Sequence, residues 1–71
     1  MSLDEHLAAC TREAAGVSRI RTAHTAFRAG VQSDPVLRRD AEQRLIELRG
    51  VADKCFIARC GIAAIEEAIR D

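Results

Sequence analysis

Residues 53–69 read DKCFIARCGIAAIEEAI, and within them Cys55, Phe56, Ile57, Ala58, Cys60, Ile62, Ala63, Ala64, Ile65, Ala68 and Ile69 are apolar. On a helix these side chains point to nearly every side, whereas a surface helix of a globular protein hides a single stripe. What covers them decides the fold.

The chain has 71 residues, a length at which one hydrophobic core is marginally stable and often needs help. Apolar residues make up 48% of it, too many for a disordered segment. Ala, Leu, Arg and Glu are plentiful, and with 3% aromatics the composition favours helices over sheet. Eleven basic residues balance eleven acidic ones, so bulk charge argues for neither a nucleic-acid nor a membrane binder. The opening MSLDEHLAAC lacks the basic region and apolar run of a secretory signal, and no apolar run approaches the ~20 residues that span a bilayer. Three cysteines, an odd number, suit reduced thiols better than a disulfide framework. The expected location is the cytoplasm.

Working outward, SLDE at residues 2–5 reads as a capping box, with Ser2 and Glu5 each accepting from the other's amide. Apolar residues then recur at helical spacing through Leu3, Leu7, Cys10, Ala14, Val17, Ile20, His24, Phe27 and Val31. Gly30 is placed to follow a helix end, and Asp34-Pro35 reads as an N-cap and first helical position. A second seam runs through Leu37, Ala41, Leu45, Leu48, Val51, Cys55, Ala58, Ile62, Ile65 and Ile69. Gly50 and Gly61 each cost roughly 1 kcal/mol relative to Ala, but neither is followed by a proline or a new cap.

The pattern therefore predicts an all-α chain of one domain: helix over about 3–29, turn at 30–34, helix over about 35–70. A linker this short sets the two helices antiparallel, as a coiled-coil-like hairpin. Folding about residues 32–33 puts Leu3 beside Ile62, and residues 63–71 then run about 13 Å past the start of the first helix. Ile46, Phe56 and Ile57 lie off the seam and also need cover. The hairpin is thus expected to complete a four-helix bundle with a second copy, or to dock on a helical partner.

The chemistry-bearing residues are few. His6 and Cys10 are four apart on one helix, and the hairpin register brings Cys55 and Cys60 towards them, which outlines a metal site. Against this, cysteine usually behaves as a small buried hydrophobe, and no C-x-x-C is present. His24 falls on the first seam, as a packed histidine would. There is no Ser–His–Asp set, acid–base pair or glycine-rich phosphate loop. The expectation is a protein without catalysis, cofactor or metal. Arg19, Arg21, Arg28, Arg38 and Arg39 cluster towards the turn and could track RNA phosphates in a small homodimeric regulator. With two Phe and no Tyr or Trp, the scarcity of aromatic residues for base stacking argues against nucleic acid.

The acidic-capped first helix LDEHLAACTREAAGVSRIRTAHTAF, the polar turn GVQSDP and the increasingly apolar second helix ending ARCGIAAIEEAI resemble one family. These are the small helical-hairpin co-chaperones of bacterial type III secretion systems. The likeness covers nearly the whole chain and lies in length, hairpin pattern, REAAG in the first helix and DP at the turn. It implies pairing with a larger helical-repeat chaperone to keep the needle subunit soluble until export. Both the resemblance and the uncovered apolar face point to partner contacts through Leu48, Val51, Cys55, Phe56, Ala58, Ile62, Ile65 and Ile69.

Overall fold

The computed structural model describes residues 1–16 and 21–70. Within them lie four α-helices and one short 3-10 turn: α1 Leu3–Ala15, α2 Thr22–Ser33, α3 Pro35–Arg49, the turn Ala52–Lys54, and α4 Phe56–Ile69. The chain is all-helical among the described residues, as its composition predicts.

The local start signals act as written. The Ser2 amide donates to Glu5 Oε1 at 3.2 Å and the Glu5 amide donates to Ser2 Oγ at 3.2 Å, closing the capping box of α1. Asp34 Oδ1 accepts from the amides of Val36 at 3.0 Å and Leu37 at 3.3 Å, with Pro35 in the first turn of α3.

The two long helices do not persist. The helix expected over 3–29 ends at Gly16, whose backbone is extended (φ −84°, ψ 173°) while its amide still bonds back to the Arg12 and Glu13 carbonyls. The seam positions Val17 and Ile20 lie outside the described residues. Helix resumes at Thr22 and runs past Gly30 to Ser33, so the turn before α3 is Asp34 alone rather than residues 30–34. Gly30 stays helical, and it is a place of close approach. A Cβ there would stand 3.0 Å from Leu37 Cδ2 and 3.4 Å from His6 Nε2.

The helix expected over 35–70 also divides. After Arg49 the ladder tightens, with the Gly50 amide bonded to the Glu47 carbonyl and the Val51 amide to the Leu48 carbonyl. The 3-10 turn follows, and extended Cys55 (φ −150°, ψ 121°) starts α4. Glycine followed by a β-branched residue also stands at Gly30-Val31 and Gly61-Ile62, where helix continues, so propensity permits the break at Gly50-Val51 without dictating it. Breaking there lets α4 fold back on the chain. A helix over 35–70 would be about 54 Å long, against a longest extent of 29 Å for the molecule. The radius of gyration of 11.2 Å matches the ~11 Å of a compact chain of this length.

Folding back puts α4 against each of the other three helices. One core joins Leu7 and Cys10 of α1, Phe27 and Val31 of α2, Leu37, Ala41 and Leu45 of α3, and Ala64, Ile65 and Ala68 of α4. Phe27 and Ile65 are both 0% exposed. Ala63–Asp71 were expected to overhang, yet Ala64, Ile65 and Ala68 are covered from within the chain. Ala58, Gly61, Ala64 and Ala68 are small, which lets α4 sit close. α3 comes especially near at Gly61, where a Cβ would stand 2.8 Å from Leu48 Cδ1.

α2 has no side-chain cap of its own, and α1 supplies one. Glu13 Oε2 accepts from the Ala23 amide at 2.8 Å, and Glu13 Oε1 accepts from the His24 amide at 3.3 Å. The His24 ring Nδ1 also meets Glu13 Oε1. Those bonds, the His24 side chain foremost, hold the Glu13 carboxyl below its usual 4.5. A carboxyl depressed in the folded state stabilises it above the unfolded value, and that contribution disappears as pH falls through the folded value. Glu13→Gln is therefore expected to lower the urea midpoint at pH 7, and Glu13→Ala to lower it further. Both variants should flatten the acid limb below pH 4.5. Equal acid limbs in wild type and variants would show that Glu13 does not cap α2.

Candidate partner-binding surface

Burial of the core leaves some large apolar side chains outside it. Val51, Phe56 and Ile57 are 46%, 56% and 64% exposed, and all three sit at the junction between α3 and α4. Val36 and Ile46 are exposed on α3. Phe56 and Ile57 open α4, where the chain must turn and neither side chain can reach the core that Ala58 and Gly61 enter.

Ile57 also lines a groove of about 390 Å³ between α1, α3 and α4. Leu7, Ala8, Thr11 and Arg12 form its α1 wall, Arg44 and Leu48 its α3 wall, and Ile57 and Gly61 its α4 wall. The missing Cβ of Gly61 and the lean of Leu48 against it shape the floor. At one end Arg44 Nη1 donates to Asp4 Oδ1 at 2.8 Å. Arg12, at the wall's other end in sequence, makes no ion pair among the described residues and is exposed. The walls thus offer apolar surface with a neutralised pair at one point and an unneutralised guanidinium at another.

The eight expected contact residues separate into three groups. Val51, Cys55 and Phe56 are exposed at the junction, and Leu48 lines the groove half-buried. Ile62 and Ile69 pack half-buried against the core. Ala58 and Ile65 are buried, so the chain's own helices already occupy the face that a partner was expected to cover. Sequence reading marked Ile57 as needing cover because it lies off the seam, but it did not place it in the contact set. Ala8, Thr11 and Arg12 carried no signal, since only the folding back of α4 brings them opposite Ile57.

The four residues that outlined a metal site in the sequence, His6, Cys10, Cys55 and Cys60, are not brought together. His6 is buried and stacks on Phe27, with ring centroids 5.1 Å apart and planes inclined 23°. Cys10 is buried, Cys55 exposed and Cys60 half-buried, and all three are free thiols. No three His, Cys, Asp or Glu side chains converge on a metal-sized site among the described residues. Burial, with Glu13 and Glu67 nearby, pushes the Cys10 thiol up to about 11. It is therefore protonated near neutrality, when both metal binding and nucleophilic attack need the thiolate.

Of the turn-half arginines, Arg19 lies outside the described residues. Arg21 pairs with Glu67, and Arg38 donates to the Ile69 carbonyl at 3.1 Å. Arg28 is half-buried and Arg39 exposed. No helix among the described residues is long and apolar enough to cross a membrane. No protein-family profile, curated protein or solved structure matches this chain.

Proposed function

We propose that this protein is a non-catalytic interaction module that works by offering an apolar surface to another protein. The observation that carries the proposal is the junction of α3 and α4, where Val51, Phe56 and Ile57 stand exposed and Ile57 forms part of the wall of an apolar groove. Leaving such side chains in water forgoes roughly 1.5–3 kcal/mol each, and a grouped set of them next to a concavity marks a contact site. The protonated state of Cys10 and the engagement of Glu13 in capping α2 also favour binding over catalysis.

The narrower reading follows the family resemblance: a small cytoplasmic co-chaperone that steadies a helical-repeat chaperone and its type III secretion substrate. In this reading the docking face is Leu48, Val51, Phe56 and Ile57, in place of the Ile62–Ile65–Ile69 stripe. Self-association as a homodimer would use the same surface. The RNA-binding reading draws less support, because Arg21 and Arg38 are already engaged within the chain.

Ile57→Asp is the decisive variant. Its side chain is mostly exposed, so the far-UV spectrum is expected to be unchanged and the unfolding free energy from urea titration to stay within about 0.5 kcal/mol of wild type. Wild type, co-expressed with a helical-repeat chaperone of a type III secretion system, should co-purify as a stoichiometric complex that Ile57→Asp fails to form. Absence of a complex with wild type would sink the co-chaperone reading. A complex indifferent to Ile57→Asp would move the contact off this surface.

A further inference from the structure

We infer that the groove between α1, α3 and α4 receives an amphipathic helix of another protein, with acidic residues beside its apolar stripe at the end that lies over Arg12. The inference rests on the interaction reading above and gives the partner a chemistry. The shape comes first. The groove holds about 390 Å³, within the ~300–1,000 Å³ range of ligand-binding clefts. It is walled by Leu7, Ala8, Leu48 and Ile57. A helix laid into such a groove inserts two large aliphatic side chains one turn apart.

Charge then selects among occupants. Arg12 stands on the α1 wall with no acidic partner among the described residues. Across from it, α4 begins without a side-chain cap on its first amides and without an acidic residue in its first turn. The partial positive charge of that helix start is therefore uncompensated. Exposed Lys54 precedes it, and Asp53 is the one acid among residues 53–59. Arg59, two residues from both Ile57 and Gly61, stands on the side of α4 away from the groove. At Asp4 the pairing with Arg44 cancels charge, and Glu47 and Asp40 lie beyond. The surface is thus basic at the Arg12 end and neutral to acidic at the other, and the complementary helix carries its acids at one end.

A second copy fits this pattern poorly. A two-fold dimer sets the same patch against itself. The knobs a second copy could insert, Phe56 and Ile57, come with Lys54 and the uncapped start of α4, which would set positive charge against Arg12 of the first. Like charges brought together across an interface cost affinity and slow encounter.

The test uses the full chain and two fluorescein-labelled probe peptides of roughly 18 residues, sharing one leucine stripe at helical spacing. One probe bears Glu at the positions flanking the stripe near one end, and the other bears Lys there. Fluorescence anisotropy is expected to show the Glu probe binding about 10-fold more tightly at low salt, with the gap closing at about 0.5 M NaCl. Arg12→Glu, an exposed change checked for unaltered helicity, should reverse the preference, and Ile57→Asp should abolish both.

Equal binding of the two probes, lost together in Ile57→Asp, would leave the docking surface standing and overturn the acidic partner. Binding of neither probe would overturn the inference and take the groove out of the functional reading as well. A wild-type mass by light scattering that doubles on concentration, and does not in Ile57→Asp, would make the occupant a second copy and overturn it too.

Discussion

Ile65→Asp is expected to leave no folded protein at 25 °C, not to release a folded monomer from an assembly. Ile65 is 0% exposed in the middle of α4, surrounded by core residues from the other helices. The substitution removes the burial of a large aliphatic side chain, about 2–5 kcal/mol by analogy with truncation to Ala. It also strands a carboxylate with no partner, for which the cost is several kcal/mol more. The stability available is small: at roughly 0.05–0.15 kcal/mol per residue, a chain this short holds only about 4–11 kcal/mol. The sum of the two costs matches or exceeds that total. Ile65→Val keeps the charge out and trims one methylene, so about 0.5–1.5 kcal/mol should be lost and folding retained. Far-UV circular dichroism and urea titration decide between these outcomes. A cooperatively folded Ile65→Asp with a wild-type midpoint would mean that Ile65 faces outward, and would restore the long second helix with its uncovered stripe.

The contrast between Ile65 and Ile57 also shows what the sequence could convey. Ser2, Glu5, Asp34 and Pro35 act through bonds within three residues, so their reading as helix starts needed nothing beyond the local chain. The 3–4 spacing of apolar residues was legible too, and Leu7, Cys10, Phe27, Val31, Leu37, Ala41, Leu45 and Ile65 are indeed core. That spacing reports which side of each helix faces the core. It does not report whether one axis continues into the next.

Leu7 and Cys10 on α1 and Phe27 and Val31 on α2 keep a common phase because both helices bury their stripes in one core, although α1 has ended at Gly16. Gly50 looked tolerable inside a helix because no proline or capping residue follows it. The term that breaks the helix there is tertiary: turning at residues 50–55 buries Ala64, Ile65 and Ala68, which a straight helix would leave bare. The same fold-back explains the candidate site. Val51, Phe56 and Ile57 could be recognised as apolar residues in need of cover. The α1 wall of Ala8, Thr11 and Arg12 exists only once α4 has crossed it. The cap that Glu13 lends to α2 was silent for a related reason, since the residue it serves is ten positions away.

Phe27→Ala is the second substitution expected to have a large effect, and it reports on a neighbour as well as on stability. Phe27 is 0% exposed and is the largest of the fully buried side chains. Its truncation should cost about 3–5 kcal/mol through lost transfer energy and the cavity left behind. The aromatic pair it makes with His6 is included in that loss. Phe27→Leu, which keeps most of the volume, should cost less, so the two variants separate packing from stacking.

The consequence for His6 follows from burial. Desolvation is the leading cause that holds the His6 imidazole below its ordinary 6.5, with the nearby N-terminal charge adding to it and Glu5 opposing. A histidine kept neutral in the folded state and protonated more readily in the unfolded one makes the unfolded state bind more protons. Stability therefore falls as pH drops below 6.5 towards the folded value, and is fully present above 6.5. Removing the Phe27 ring lets water reach His6, raises its titration point towards 6.5 and shrinks that acid loss. The expected result is a variant much less stable at pH 7 but with a flatter profile between pH 7 and 5, measured by urea midpoints and by the His6 ring resonances. A variant whose profile stays parallel to wild type would show that Phe27 does not shield His6. The buried histidine would then owe its neutrality to α1 and the N-terminus, and the pairing of α1 with α2 through these two rings would carry no part of the pH dependence.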